Sequence, residues 1–310
     1  MSETTVFIPP HELNTAVLFL VFNRLDTTKQ VFEAIRQAKP PRLYVAADGA
    51  RANKKGEADK TQAVRDYIMQ NIDWKCEVET LFREENLGCK YAVSGAITWF
   101  FENEEQGIIL EDDCLPSQSF FWFCENLLHK YKDNPQIWAI GGTNLLSGMG
   151  VNDYLYSLHG TVWGWASWAN IWKNYDIDID VSYKKLSHYP ASMSESSNLK
   201  NILCTIKQLS YSSWDYQWLI ARIRCNGLTA LPGVNLIKNI GFGGGDSTHT
   251  VHFDERLVKD NKEMQFPLSG GQVARDIAYD KALWRYKNSL MKIFIINTKY
   301  ILKLIVGKKC

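Results

Sequence analysis

Gly107 to Pro116, GIILEDDCLP, sets three consecutive carboxylates directly behind a short run of β-favouring apolar residues. Ile108, Ile109 and Leu110 read as a buried strand of a mostly parallel sheet, and ligands of open α/β sheets bind beyond the carboxyl ends of the strands. Glu111, Asp112 and Asp113 then stand at the mouth of a site. Adjacent carboxylates repel one another, so grouping three of them makes most sense with a divalent cation or sugar hydroxyls between them. The competing reading is a solvated acidic turn with Pro116 opening the next helix. For an Asp-Asp pair alone the turn is the better reading; the flanking chain reverses that.

Upstream, Ala16 to Phe22 (AVLFLVF) is an apolar run of strand length, followed by Asn23, Arg24 and a helix start marked by Asp26, Thr27 and Thr28. Val31, Ile35 and Ala38 recur at helical spacing until Pro40-Pro41, and Arg42 to Ala47 forms a second strand ending at Asp48-Gly49. A charged loop, Ala50 to Lys60, precedes a helix over Thr61 to Asn71. Cys76 to Phe82 alternates as a third strand, and Arg83 to Gly88 leads into a helix over Lys90 to Asn103. This alternation predicts an α/β fold, a Rossmann-like and mostly parallel sheet with helices on both faces. Downstream come an aromatic helix (Ser119 to Tyr131), a strand (Ile137 to Gly142), a further strand over Tyr154 to His159, and the loop WGWASW, Trp163 to Trp168. Asp176 to Ser197 is a polar, Ser-rich insertion. Leu199 to Leu209 and Asp215 to Asn226 are helical, Leu228 to Leu231 is a strand, and Asn235 to Gly245 runs into GFGGGDSTHT. No internal repeat is present.

With 310 residues, 45% hydrophobic content and a formal charge of +1, the chain has material for one large domain or two small ones and no signature of bulk nucleic-acid binding. Eleven Trp exceed ordinary core needs and suggest a sugar-handling cleft. Seven Cys form no CxxC pair, and MSETTVFIPPHELN lacks the basic start and apolar run of a signal peptide. Free thiols in a reducing cytosol are the expectation. No run approaches the roughly 20 apolar residues of a spanning helix.

Taken as an ordered set, FNR after the first strand, AADG after the second, NLG before a helix, ILEDD ahead of Pro-Ser-x-Ser-Phe-Phe, WGWASW and a late WDYQW resemble GT-A nucleotide-sugar glycosyltransferases. The likeness is to bacterial family 2-like enzymes and, more distantly, to the Golgi N-acetylglucosaminyltransferase that also carries an EDD. It spans about residues 16 to 255. The resemblance implies a transferase domain over 1–255, with a donor half at about 16–116 and an acceptor half at about 117–255, and a C-terminal extension over 256–310.

It further implies that Asp113 ligates Mn2+ or Mg2+ while Glu111 and Asp112 contact the nucleotide-sugar, a donor set suited to a hard cation completed by diphosphate oxygens. Arg24 corresponds to an arginine near base and phosphates, and Asp48 to a carboxylate that accepts hydrogen bonds from the base. A surface arginine and an Asp-Gly turn are the structural alternatives. Arg83, Asn86, Gly88 and Lys90 suit a phosphate or base at a helix start. Asp215 corresponds to the base that takes the acceptor's proton, with Trp214 and Trp218 raising its pKa by burial; it equally suits the N-cap of its helix. His249 corresponds to a late histidine reaching metal or diphosphate, with His252 as rival, and Gly243 to Gly245 to a lid. Trp163, Gly164, Trp165 and Trp168 correspond to an acceptor platform, although core packing accounts equally well for at least one of the tryptophans.

From Asp280 on, Arg285, Lys292 and Lys299 are seven apart, flanked by Lys281 and Lys303, while Leu283, Leu290, Phe294, Ile301 and Ile305 fill the other faces. Such a basic amphipathic helix can lie on an anionic membrane surface, which predicts a cytoplasmic protein attached peripherally to the inner face of the membrane. The rival is a helix packed on the domain or in a dimer contact, and an oligomer stays open. The expected activity is inverting, metal-dependent transfer from a nucleotide donor, foremost a UDP-sugar, to a hydroxyl of a cell-surface glycan or lipid-linked acceptor. A nucleotide-sugar-forming nucleotidyltransferase is one rival; its glycine-rich, lysine-bearing loop is missing after the first strand. A non-catalytic carbohydrate- or partner-binding protein of the same fold is the other.

Overall fold

The computed structural model describes residues 7–148, 153–178, 213–242 and 258–287. The first half of the chain runs β1 (Val17–Val21), α1 (Leu25–Ala38), β2 (Arg42–Ala47), α2 (Glu57–Asn71), β3 (Glu77–Phe82), α3 (Gly88–Asn103), β4 (Gln106–Glu111), β5 (Cys114–Pro116) and α4 (Ser119–Tyr131). The rest adds β6 (Ile137–Gly141), β7 (Tyr154–Ser157), β8 (Trp165–Trp168), α5 (Ala169–Trp172), α6 (Asp215–Arg224), β9 (Leu228–Pro232), β10 (Ile237–Asn239) and α7 (Ile277–Lys287). Eight strands form one sheet in the order β3-β2-β1-β4-β8-β6-β9-β7, and β5 pairs with β10 separately.

Strand β1 is buried along its whole length because VLFLV carries nothing polar, which suits a strand covered on both faces. It pairs in parallel with β2 and β4, and β2 pairs in parallel with β3. The register Val21↔Ala47, Ala47↔Phe82 and Leu20↔Glu111 brings all four carboxyl ends to one edge. Helix α1 packs against α2, and α3 packs on β1, β2 and β4 as it returns the chain from β3 across the sheet, so the expected α/β architecture is present. In α1, Val31, Phe32, Ile35 and Ala38 turn inward, and Lys39 closes the helix in the left-handed region (φ 51°), its N–H bonded to Ile35 O at 3.0 Å ahead of Pro40.

Local differences from the sequence expectations have clear causes. Helix α1 starts at Leu25, and the Thr27 and Thr28 hydroxyls donate back to Arg24 O at 3.3 and 2.6 Å instead of capping free N–H groups. Helix α2 starts at Glu57, four residues before the expected Thr61, because the Glu57 carboxylate is pulled inside by Asn23 and Arg51. Within WGWASW, Trp165–Trp168 is no loop. It is β8, buried throughout and antiparallel between β4 and β6, with Ala166 opposite both Ile108 and Ile140. The sheet is therefore mixed: parallel from β3 to β4, antiparallel around β8, parallel between β6 and β9 and antiparallel again at β7. Pro116 ends β5 and does not open a helix, leaving Asp112 and Asp113 as the turn between β4 and β5.

The described part of the C-terminal extension packs on the domain. The Glu263 carboxylate accepts the backbone N–H groups of Gln118 and Ser119 at 3.0 and 2.8 Å, satisfying free donors at the start of α4. On α7, Tyr279 and Leu283 are buried against Leu145 and Leu231, and buried Asp280 accepts from Ser157 Oγ and Arg275 Nε. Residues 277–287 thus take the packing role, with Lys281 and Arg285 left exposed. Among the described residues no helix is long and apolar enough to cross a membrane.

Candidate functional site

A cavity of about 360 Å3 opens at the shared carboxyl edge of β1, β2 and β4. One wall is α3, whose Cys89, Ala92, Val93 and Ala96 recur on a single helical face and leave room by being small. Burial pushes the Cys89 thiol up to about 12, with Glu111 and Asp215 the next contributors, so it lines the cavity as a neutral group.

Glu111, Asp112 and Asp113 form the floor. Arg24, projecting from the end of β1, ties them down: Nη2 donates to Asp112 Oδ1 and to Asp113 Oδ2, the latter at 3.0 Å, and Nε reaches Asp112 Oδ2 at 3.4 Å. Burial alone would lower the Arg24 pKa, and the two aspartates more than reverse that. Asp112 is 4% exposed. Burial pushes its carboxyl up to about 6 although Arg24 opposes the rise. Glu111 goes up to about 8, through burial first and then Asp113, Asp112 and Asp215, and no described donor bonds to it. Arg24 thus bonds two of the three floor carboxylates, and burial together with the neighbouring carboxylates favours the protonated form of the third, Glu111.

Asp48 lines the cavity, but its carboxylate is committed to the chain itself. It accepts the N–H groups of Leu87 and Gly88 and the Asn86 amide, each at 3.0 Å, and so caps the start of α3 across the gap between β2 and β3. Asn86 spends its second N–H on Gly49 O at 2.7 Å. Arg83 lines the cavity while donating to Ala92 O at 3.2 Å. Lys90 does not line it. Its ammonium lies 5.5 Å from the ring of exposed Tyr91.

Asp215 reaches the same cavity from the other half of the chain, as the first residue of α6. It is not the N-cap, a position held by Trp214, and it accepts the Ser213 hydroxyl. Behind it stands an aromatic cluster in which Trp165 stacks on Trp214 at 5.9 Å and Trp172 approaches Trp218 at 5.1 Å. Trp165, 1% exposed, belongs to this cluster and offers no acceptor platform, and Trp168 is likewise buried. Gly164 has φ 60°, and a Cβ there would meet Ile237 Cδ1 at 2.4 Å, so the close approach it allows is to core, not to a ligand. Trp163 alone of that motif lines the cavity, edge-on to Phe242 with centroids 5.7 Å apart. His249, His252 and Gly243 to Gly245 lie outside the described residues.

Four contributors were not singled out from the sequence. Asn23 and Arg51 both line the cavity and converge on buried Glu57, which accepts Asn23 Nδ2 at 2.9 Å and Arg51 N at 2.7 Å. The signal was present in the Asn of FNR and the Arg two residues past Asp-Gly. Asn239 and Gly241 close the wall above Asp113, where a Cβ on Gly241 would meet Asp113 Oδ2 at 2.2 Å. Nothing in the local sequence marks that approach.

Among the described residues no group of three or more His, Cys, Asp or Glu forms a ready metal cage. What the floor does offer is a set of carboxylate oxygens, with Asp113 half-buried at the surface of the cavity and held there by Arg24 at 3.0 Å. That fits a hard divalent cation whose remaining ligands come with the substrate and water.

No protein-family model matches the chain, and no curated protein matches its sequence. Distant likenesses occur among solved structures. Residues 1–349 of TarS from S. aureus share 10% identity over 73% of this chain and 59% of that one, with a TM-score of 0.40. A UDP-glucose pyrophosphorylase complexed with UDP-glucose shares 8% over 74% and 94%, with a TM-score of 0.39. Mouse xyloside xylosyltransferase 1 shares 9% over 69% and 84%, with a TM-score of 0.36. None of these likenesses assigns a reaction to this chain.

Proposed function

We propose that this chain is a GT-A-type glycosyltransferase that moves a sugar from a nucleoside-diphosphate donor, foremost a UDP-sugar, to an acceptor hydroxyl with inversion. One observation carries the reading: a single cavity at the carboxyl edge of β1, β2 and β4 gathers Glu111, Asp112 and Asp113 from one half of the chain and Asp215 from the other. Sheet edges of this kind are where α/β proteins bind nucleotides, and a carboxylate facing the donor from the opposite wall is what proton removal from an acceptor needs.

In this reading Asp113 holds Mn2+ or Mg2+, which when bound offsets the charge of the leaving diphosphate. Arg24 keeps Asp112 and Asp113 in place, while Glu111 and Asp112 contact the nucleotide-sugar. Arg83 and Asn86 line the part of the cavity assigned to base and phosphates, and Asp48 acts there by holding the start of α3. Asp215 accepts the acceptor proton as the new bond forms at the anomeric carbon and the bond to diphosphate breaks. Trp163 offers an apolar face to a sugar ring. The acceptor is a glycan or a lipid-linked glycan, and the basic residues beyond 287 hold the protein at a membrane surface.

Incubation with a panel of nucleotide-sugars and Mn2+, scoring nucleotide release, tests the reading. Asp113→Ala and Asp215→Asn are each expected to lower turnover by about 100-fold or more. Full turnover in the first removes the metal assignment, and full turnover in the second removes the base. Thermal stabilisation by nucleoside triphosphates in preference to UDP would point to nucleotidyl transfer instead.

A further inference from the structure

Asn239 is 7% exposed and lines the cavity. Its orientation is settled by chemistry: Gly241 N–H lies 2.9 Å from Oδ1, and only the oxygen of an amide can accept that bond. Nδ2 is therefore turned the other way. It makes no hydrogen bond to any described residue, and it is not among the sealed buried donors that lack a partner. Two neighbouring bonds fix the seat. Asn239 pairs with Cys114 across β5 and β10, and Ile240 N–H donates to Asp113 O at 2.8 Å. A donor this well held, beside a floor of carboxylates and bonded to none of them, is kept for an acceptor that arrives from outside.

We propose that Asn239 is a ligand-binding residue of this site, donating from Nδ2 to a hydroxyl oxygen of the sugar carried by the nucleotide. The inference rests on the donor-binding reading given above. A neutral amide matches a neutral hydroxyl, whereas diphosphate oxygens find their match in a cation and in Arg24. Gly241 makes the arrangement possible, because any side chain there would collide with Asp113 and displace the backbone that orients the amide.

Two variants separate the contact from the fold. Asn239→Asp keeps the oxygen that Gly241 N–H needs and removes only the donor, while Asn239→Ala removes both. The measurement is titration of the full-length protein with UDP, UDP-glucose and UDP-N-acetylglucosamine in MnCl2, read as the ratio of UDP-sugar to UDP affinity, with Asn239→Ala deciding because it adds no charge. Both variants are expected to lose about tenfold in that ratio for the sugar that wild type prefers, the loss of one hydrogen bond in a buried site. An unchanged ratio, or an equal loss for UDP and UDP-sugar, overturns the proposal while leaving the transferase reading intact. Wild type that binds none of the three overturns the donor-binding reading itself, and the role of Asn239 with it.

Discussion

Glu111 stands among Asp112, Asp113 and Asp215 with no described hydrogen-bond donor, and its carboxyl is raised from 4.5 to about 8. Below pH 4.5 it is protonated folded and unfolded alike and contributes nothing. Between pH 4.5 and about 8 the unfolded chain gives up this proton while the folded one keeps it, so stability falls as pH rises and the loss is complete above about 8. Asp112, raised to about 6, has the same sign over a lower window. In EDTA, Glu111→Gln should therefore raise Tm at pH 8 by at least ~2 °C relative to wild type and leave it unchanged at pH 4.5, measured by calorimetry. Asp48 makes the opposite case. Three donors depend on its carboxylate, so Asp48→Ala should cost about 1–3 kcal/mol in urea unfolding, with Asp48→Asn costing less because one acceptor oxygen survives.

At the scale of elements, the site exists because two short pieces of chain close it. The turn between β4 and β5 turns the carboxylates into the cavity, and β10 lays Asn239 and Gly241 over them. Gly241→Ala brings a methyl within 2.2 Å of Asp113 Oδ2, so stabilisation of the protein by UDP with Mn2+ should be abolished while Tm without ligand falls by only a few degrees, as read by thermal shift. Helix α7 is held by Asp280, buried beneath Ser157 and Arg275. Asp280→Ala leaves the Ser157 hydroxyl and the Arg275 guanidinium without this acceptor and should destabilise the protein by about 3–5 kcal/mol in the same urea assay. Both effects were out of reach of local patterns. The strand β8 was hidden as well: Trp-Ala-Ser-Trp is buried on both faces and antiparallel between partners far away in sequence, so neither alternation nor β-branched residues announced it.

For the whole molecule, the described C-terminal segment belongs to the domain through Glu263, Tyr279, Asp280 and Leu283, while the basic, apolar sequence past residue 287 carries the proposed membrane role. Deleting residues 288–310 should leave the urea midpoint within error and abolish sedimentation with vesicles containing anionic lipid; retained sedimentation would remove the membrane assignment. The abundance of tryptophan also takes its meaning at this scale. Of the ten whose side chains are described, seven are buried, and the cluster of Trp165, Trp172, Trp214 and Trp218 fills the core behind Asp215, so the composition mostly reflects packing.

Sequence by itself determined the alternation of apolar runs and helical faces through β4, and with it the α/β sheet and the edge that bears Arg24, Asp48 and Glu111 to Asp113. Those features are local, since a strand buried on both faces must be apolar throughout and polar residues collect where it ends. Only the tertiary structure decided that Asp48 is spent on α3, that Trp165 and Gly164 face the core, and that Asn239 and Gly241 complete the wall. Each of these depends on which distant backbone comes within hydrogen-bonding or van der Waals distance, and no pattern along one segment records its future neighbour.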